Sequence, residues 1–465
     1  MKKSQISLYR SVNNFLFKKI DNINLVLFRT IFGMLITLEA FGAIALGWVR
    51  YTLVDPPFTF NFIGFDFLQH LQGEWMYAHF AIMGIFGIGV MLGYKYRFSM
   101  FAYAVMWSAV YLMQKSNYNN HYYLMMLLCW LMAFLPANGA LSIDAKTNPK
   151  IRSASMPRWA LLVVILQVWI VYTFAAVNKL YPGWLNGDAI AAFMAGKSNY
   201  PLIGELLQLK WLQMILVYAG IFFDLLIVPL MLYKRTRLLG FALSLIFHLF
   251  NSVVFQIGIF PYMSLAFALF FFTPETLRKQ FLPKKILYKK NEIEVPKNRN
   301  LIITLFSIYF LFQIGLPLRH WFFKDDVLWT EEGHRLSWRM MLRAKSGTLD
   351  VYVVDRATNE RKLYDHRAIL GANQQSGVRT KPDLMWQLAQ KIKEIEAEKG
   401  KDVAVYMNSW VSINRGPYFR FTDPTVDLAS EKWHPFKHSE WILPSPKDYN
   451  KKPENDEQNF RNQLE

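Results

Sequence analysis

Residues 171–188 read VYTFAAVNKLYPGWLNGD. An apolar run ends there in Asn178 and Lys179, a Pro-Gly turn follows at Pro182 and Gly183, and Trp184 stands beside it. A lysine at the end of a hydrophobic segment has two readings. It can anchor the segment by carrying its ammonium to the headgroup level. It can also sit desolvated in an apolar pocket, where burial disfavours the charged form and leaves an amine able to act as a base.

Other polar groups interrupt apolar segments in the same way. Asn119, Asn120 and His121 stand together at the start of one, and His248 and Asn251 share a face of another at i, i+3 spacing. Asp224 lies inside a third, placed either to pair with a cation or to hydrogen-bond between helices. Ionisable groups within a membrane are costly and are functional candidates by default. Each taken singly has the plainer reading of a helix–helix hydrogen bond. Together they make Lys179, His121 and His248 candidate catalytic residues, with Asn120 and Asn251 as substrate-binding candidates. Neither histidine stands in an HxH or HExxH motif or near a carboxylate in the sequence, which argues against a metal site. Residues 316–343, LPLRHWFFKDDVLWTEEGHRLSWRMMLR, are dense in Trp, Arg and paired acids. Composition favours an interfacial aromatic belt. The functional alternative is a lid in which Trp338 and Arg339 hold a flat ring and an anion.

These groups need a scaffold, and the composition says which kind. The chain has 465 residues, 53% of them hydrophobic and 16% aromatic. So much apolar content in long charge-free runs marks a polytopic membrane protein rather than a soluble one. About nine segments suit a bilayer core of ~30 Å: residues 24–49, 76–94, 98–113, 121–136, 159–178, 209–232, 238–257, 259–273 and 300–317. The formal net charge of +18 is spread between these runs. It fits loops facing anionic lipid better than nucleic-acid binding, for which there is no motif. Lys95 and Arg97 follow the second segment, Lys146, Lys150, Arg152 and Arg158 the fourth, Lys234, Arg235 and Arg237 the sixth, and Arg278, Lys279, Lys284 and Lys285 the eighth. That alternation predicts a cytoplasmic N-terminus and an extracytoplasmic C-terminal region. It also places Asn120, His121 and Lys179 on the extracytoplasmic side.

Residues 1–317 therefore read as a transmembrane α-helical bundle carrying the site. Residues 318–446 read as an extracytoplasmic α+β domain. Strands are expected over 349–354, 403–407 and 410–413, and a helix over 382–399 with Leu384, Leu388, Ile392 and Ile395 on one side. Residues 447–465 read as a charged, disordered tail. The single cysteine, Cys129, lies in an apolar run and excludes an intramolecular disulfide.

Six blocks carry a family resemblance: FRTIFGMLITLE (28–39), NNHYYL (119–124), NKLYPGWLNGD (178–188), FHLFNSVVFQIGIFPYMSLA (247–266), the 316–343 block, and WVSINRGPYFRFTDPTVDLA (410–429). In these the sequence resembles the vitamin K-dependent γ-glutamyl carboxylase family, with its horizontally transferred transmembrane domain. The resemblance implies that the bundle takes a reduced vitamin K hydroquinone and O2, and that Lys179 deprotonates the hydroquinone. The quinol then becomes an epoxide through a strongly basic alkoxide, which removes a γ-proton from a peptide glutamate, and CO2 captures the carbanion. It places His121, Asn120 and His248 in the same active region. A glutamate γ-carbon is too weak an acid for any side chain to deprotonate, so a cofactor must supply the basicity. The implied partners are a lipid quinol, a glutamate-containing peptide or protein, and membrane lipid, with no metal and no nucleic acid. The chain is shorter than the animal enzymes and cannot form their inter-domain disulfide. With no evident signal peptide, this fits a bacterial inner-membrane protein with a periplasmic C-terminal domain. The alternative is a quinol epoxidase or oxidoreductase on the same scaffold that never meets a peptide.

Overall fold

The structure, a computed structural model, describes residues 2–447 and residue 449. The tail expected over 447–465 otherwise lies outside the described residues. Helix α1 (Lys2–Phe17) leads to α2 (Ile23–Ala45), α3 (Trp75–Leu92), α4 (Tyr96–Met113) and α5 (Asn120–Phe134). Helix α6 (Arg158–Val177) ends at the Asn178–Lys179 motif, and α7 (Lys210–Leu232), α8 (Arg237–Phe255), the short α9 (Phe260–Ala266) and α10 (Arg299–Leu318) follow.

Each of the nine expected apolar segments is helical. Six helices are long and apolar enough to cross a membrane: α2, α3, α6, α7, α8, and α10 with its continuation to Phe322. Helix α2, with 23 residues, reaches roughly 35 Å at about 1.5 Å per residue, enough for a bilayer core. The other three fall short of that measure. Helix α4 carries Tyr96, Arg97 and Ser99 in its first turns, α5 has 15 residues, and α9 has seven before it tightens into a further turn over Phe267–Phe270. The chain is thus a multi-pass membrane protein with, among the described residues, six helices long and apolar enough to span and three, α4, α5 and α9, that are more polar or shorter.

Lipid is as apolar as leucine, so close helix contact in the bundle depends on small residues rather than on expulsion of water. Helices α2 and α3 meet through glycines. A methyl group on Gly33 would fall inside the backbone of Met91, and one on Gly87 would fall against Thr37. Polar side chains tie the remaining helices together: Asn24 donates to the Leu269 carbonyl at 2.6 Å, and Tyr103 donates to the Ile36 carbonyl at 2.8 Å.

The C-terminal region forms a four-stranded antiparallel sheet of β1 (Lys345–Asp355), β2 (Arg361–Leu363), β3 (Val403–Ile413) and β4 (Phe419–Arg420), in the order β2-β1-β3-β4. Strands β1 and β3 pair over all their residues, from Lys345 opposite Ile413 to Asp355 opposite Val403. The two strands expected over 403–407 and 410–413 are therefore one. Helix α11 (Pro382–Glu398) buries Leu384, Leu388 and Ile392 in the core that Val351, Val405 and Met407 of the sheet supply. Ile395 is only half-buried, and Glu396 is buried beside it. That core also takes Phe58 and Phe60 from the α2–α3 connection. Gln374 donates to the Phe58 carbonyl at 2.7 Å, and Gln387 donates to the Asn61 carbonyl at 3.1 Å. The outer domain is thereby fixed to the bundle by a loop some 300 residues earlier in the chain.

Gly33→Ala is expected to destabilise the protein by about 1–3 kcal/mol through overpacking against Met91. Gly42→Ala, where nothing lies within 4 Å of the added methyl, is expected to be neutral or stabilising. Chemical unfolding of both variants in detergent checks the pair.

Candidate functional site

Helix α6 has no glycine or proline in its 20 residues and runs unbroken to Val177. Beyond it the Lys179 amide still donates to the Ala176 carbonyl at 3.0 Å, and the chain then turns back through a short helix, Pro182–Leu185. Gly187 allows this turn because its φ of +87 lies in the left-handed region. The reversal brings Trp184 under the lysine. Its indole, 4% exposed, donates to the Val217 carbonyl at 3.3 Å, and the Lys179 Nζ stands 5.4 Å from the ring centroid.

Lys179 looks into a cavity with about 930 Å³ of empty space, part of it open to solvent. His121 of α5, Tyr172 of α6, Asp224 of α7, and His248 and Asn251 of α8 line it with the lysine. The remaining wall is apolar, with Phe247, Phe250, Phe255 and Phe260 prominent. The Lys179 Nζ contacts the Asp224 carboxylate directly, and the two side chains are 9% and 6% exposed. Of the two roles open to Asp224 from sequence, pairing with a cation or bonding between helices, the structure shows the first, with Lys179 as the cation. His248 is 1% exposed; its Nε2 lies 3.0 Å from the Tyr172 hydroxyl, and its Nδ1 is buried with no hydrogen-bond partner among the described residues. The His121 ring stacks on Phe260 at 3.9 Å between centroids.

Lys179, His121, His248 and Asn251, from the end of α6, from α5 and from α8, thus share one cavity. Asn120, Trp338 and Arg339 do not line it. Asn120 is buried, donates to the Arg339 carbonyl at 2.7 Å and accepts from the Tyr118 hydroxyl at 3.0 Å, so it ties α5 to the 331–343 segment. Trp338 is fully buried and stacks on Tyr123 at 4.8 Å. Arg339 pairs with the His320 Nε2 at 2.9 Å, and burial together with nearby Arg343 lowers its guanidinium to about 10. The reason is backbone shape. Glu331, Leu336, Trp338 and Met341 all have positive φ, an arrangement that non-glycine residues keep only where the surroundings enforce it. It turns the Trp338 indole inward and presents Met340 and Met341 to the cavity.

The other side of this segment faces a second cleft of about 1,090 Å³, lined by Trp48, Tyr122, Glu331, Arg343, Lys345 and Lys381. Glu331 contacts Arg343 and lies 3.4 Å from the Lys345 Nζ. Asp383 takes Arg335 at 2.9 Å and Lys115 at 2.8 Å. Five cations therefore surround two carboxylates. Burial opposes ionisation of both acids, yet Arg343 and Lys345 hold Glu331, and Arg335 and Lys115 hold Asp383, well below the carboxylate range. The surplus cations show the reverse: burial pushes Lys345 down to about 7 and Lys381 and Lys115 down to about 8. Nothing in the sequence marks these lysines: Lys345 and Lys381 come from a charge-rich region, and Lys115 from the loop between α4 and α5. Asp224 is conspicuous as the lone acid of a 23-residue apolar helix. Among the described residues no group of three or more His, Cys, Asp or Glu side chains is placed to hold a metal ion.

A family model for the HTTM domain matches residues 17–275, and one for the vitamin K-dependent gamma-carboxylase lumenal domain matches residues 298–448. The first covers Lys179, His121 and His248, and the second covers the cationic side of the cleft. No solved structure matches the chain.

The cleft makes stability depend on pH in a defined direction. Lysines lowered in the folded state bind fewer protons than in the unfolded chain between about pH 7 and their ordinary value of 10.5, so stability rises with pH across that window. The depressed Glu331 and Asp383 act at the other end: their contribution is present above the ordinary carboxylate range and is lost as pH falls below it. Thermal unfolding of the outer domain is expected to rise from pH 7 to 9, and Lys345→Met is expected to flatten that rise.

Proposed function

This chain belongs to the vitamin K-dependent gamma-carboxylase family, and on that premise we propose that it couples oxidation of a lipid hydroquinone to carboxylation of a peptide glutamate. The observation that carries this reading is one apolar cavity holding Lys179, Asp224, His121 and His248 together. An aromatic quinol head fits it. The walls are hydrophobic, the volume is that of a small-molecule site, and the buried Nδ1 of His248 is a polar atom awaiting a partner. When bound, the hydroquinone supplies, with O2, the strong base that no side chain can provide.

The residues have separate tasks in this proposal. The Lys179 Nζ takes the hydroxyl proton, since a desolvated amine and a phenol can be brought close in proton affinity. His248, held by the Tyr172 hydroxyl, hydrogen-bonds the quinol through Nδ1. His121 stands on the wall towards the cleft, stacked on Phe260. The phenylalanines and Met340 and Met341 keep water away from the reacting atoms. The cationic cleft receives the carboxylate of the substrate glutamate, with Arg343 and Lys345 in the role expected from sequence for Arg339. The basic loops after alternate apolar segments, with α4, α5 and α9 crossing as well to make nine passes, support a cytoplasmic N-terminus and an outer domain facing the periplasm of a bacterial inner membrane.

Lys179→Met is the variant of choice, because it keeps the volume while the stranded Asp224 can take a proton. With purified protein and reduced vitamin K, its epoxide formation is expected to fall by about 100- to 10,000-fold, the range of a lost general base, with thermal stability retained. A glutamate-containing peptide and labelled bicarbonate should give acid-stable incorporation in the wild type, and Arg343→Ala should raise the peptide KM. Epoxide without incorporated label would leave only the oxidative half of the reading. Full turnover by Lys179→Met would remove the base from it.

A further inference from the structure

The contact between Lys179 and Asp224 carries a consequence for the amine. An ammonium in an ion pair has no lone pair and cannot accept a proton. We propose that the two residues share a single proton and that Asp224 holds it, which makes Asp224 the residue positioning Lys179 as a neutral amine; this rests on the reading of Lys179 as the base.

The surroundings decide where the proton lies. A buried ion pair recovers its lost hydration only if further hydrogen bonds fill the remaining donor and acceptor sites. Here the one hydrogen bond of either charged group, among the described residues, is the one they make with each other. Two N–H bonds of the ammonium and the other lone pairs of the carboxylate are left without protein partners. The titratable groups facing them across the cavity are His121, Tyr172 and His248, and no second cation or acid lines it. Moving the proton from Nζ to Oδ2 removes two opposite charges from an apolar wall and keeps the hydrogen bond, now from O–H to N. The pair's net charge is zero in either form. When a phenol-type hydroxyl then approaches, its O–H bond breaks and an N–H bond forms. The pair's charge rises from zero to +1 while the donor's falls by one. The Trp184 ring, 5.4 Å from Nζ, faces the ammonium so formed.

Infrared spectra of the purified full chain in lipid nanodiscs at neutral pH, without quinol, test this. The wild type should show a C=O stretch of an un-ionised carboxylic acid that is lost in Asp224→Asn, is retained in Asp224→Glu and shifts in Lys179→Met, where its hydrogen bond to Nζ is gone. Should Asp224→Asn fail to fold, the Lys179→Met shift against the wild type suffices. Superimposable wild-type and Asp224→Asn spectra, or a band that Lys179→Met gains or leaves unmoved, would overturn the assignment. Hydroquinone turnover should fall at least tenfold in Asp224→Asn and be partly restored in Asp224→Glu, as a purely bracing role would not require. The infrared arm uses no quinol, so it supports or overturns the shared proton even where the wild-type chain turns over none.

Discussion

A charged side chain cannot be left alone in an apolar bundle, and this constraint arranges the site. Lys179 sits where α6 ends, and its neighbours settle the unfavourable burial. Asp224 comes from the middle of α7, and the Trp184 ring is folded back beneath by the Pro182–Leu185 turn. Removing one partner of a buried pair is expensive unless the other can shed its charge, as Asp224 can by taking a proton. Helices α6 and α7 are therefore held in register at this depth by chemistry as well as by shape. The same logic explains His248, whose Nε2 is satisfied by Tyr172 of α6 while its Nδ1 is left over on the cavity side. A fully satisfied histidine would be a brace. One with a spare buried nitrogen has capacity for a ligand.

The outer domain completes this arrangement. Residues 331–343 form a shared wall, with Met340 and Met341 towards the apolar cavity and Arg343 towards the cationic cleft. Four non-glycine residues of this segment adopt left-handed backbone, at a cost of order 1–3 kcal/mol each. Several contacts impose that shape. Asn178 donates to the carbonyls of Ser337 and Trp338 at 3.3 and 3.4 Å, Asn120 donates to that of Arg339, and the Tyr118 hydroxyl accepts from the Leu336 amide at 2.6 Å. Phe58 and Phe60, buried in the outer domain's core, keep that domain from swinging away. The motif asparagines thus act on the wall rather than in the cavity.

What the sequence made legible follows from contrast. Lys179, His121, His248 and Asp224 stand out because polar groups are rare in apolar runs and expensive there. Nothing comparable marks Lys345 or Lys381, which are ordinary residues of a charge-rich domain until folding buries them. Trp338 and Arg339 were readable as a ring and a cation, but their direction depends on a positive φ that no residue type at those positions announces. The break expected between residues 407 and 410 falls on Asn408 and Ser409. Ser409 is fully buried yet satisfied, its amide donating to the Thr422 hydroxyl at 3.0 Å and its hydroxyl to the Arg379 carbonyl at 3.1 Å. The strand continues through Ser409 because that residue's polar groups have partners. The apolar segments were located correctly as helices, but whether α4, α5 and α9 cross the bilayer depends on neighbours that hydropathy alone does not describe.

Under the proposed function, two opposed demands would account for an apolar cavity and a cationic cleft on either side of residues 331–343. Chemistry that passes through a strong base needs water kept out, because bulk solvent would protonate the base before substrate could. A peptide carboxylate needs the opposite, a polar and positively charged reception, because its desolvation without a partner is prohibitive. One compartment cannot meet both needs. A thin wall between two compartments can, provided that it is rigid enough to stop the cleft's cations drawing water through and thin enough to let a substrate side chain reach the cavity. The 331–343 segment has both properties: left-handed turns make it compact, and the asparagine bonds make it stiff. The lowered lysines of the cleft add a further consequence. A site already straining against its own positive charge gains stability from any carboxylate that neutralises it, so binding an acidic peptide and firming the wall become one event.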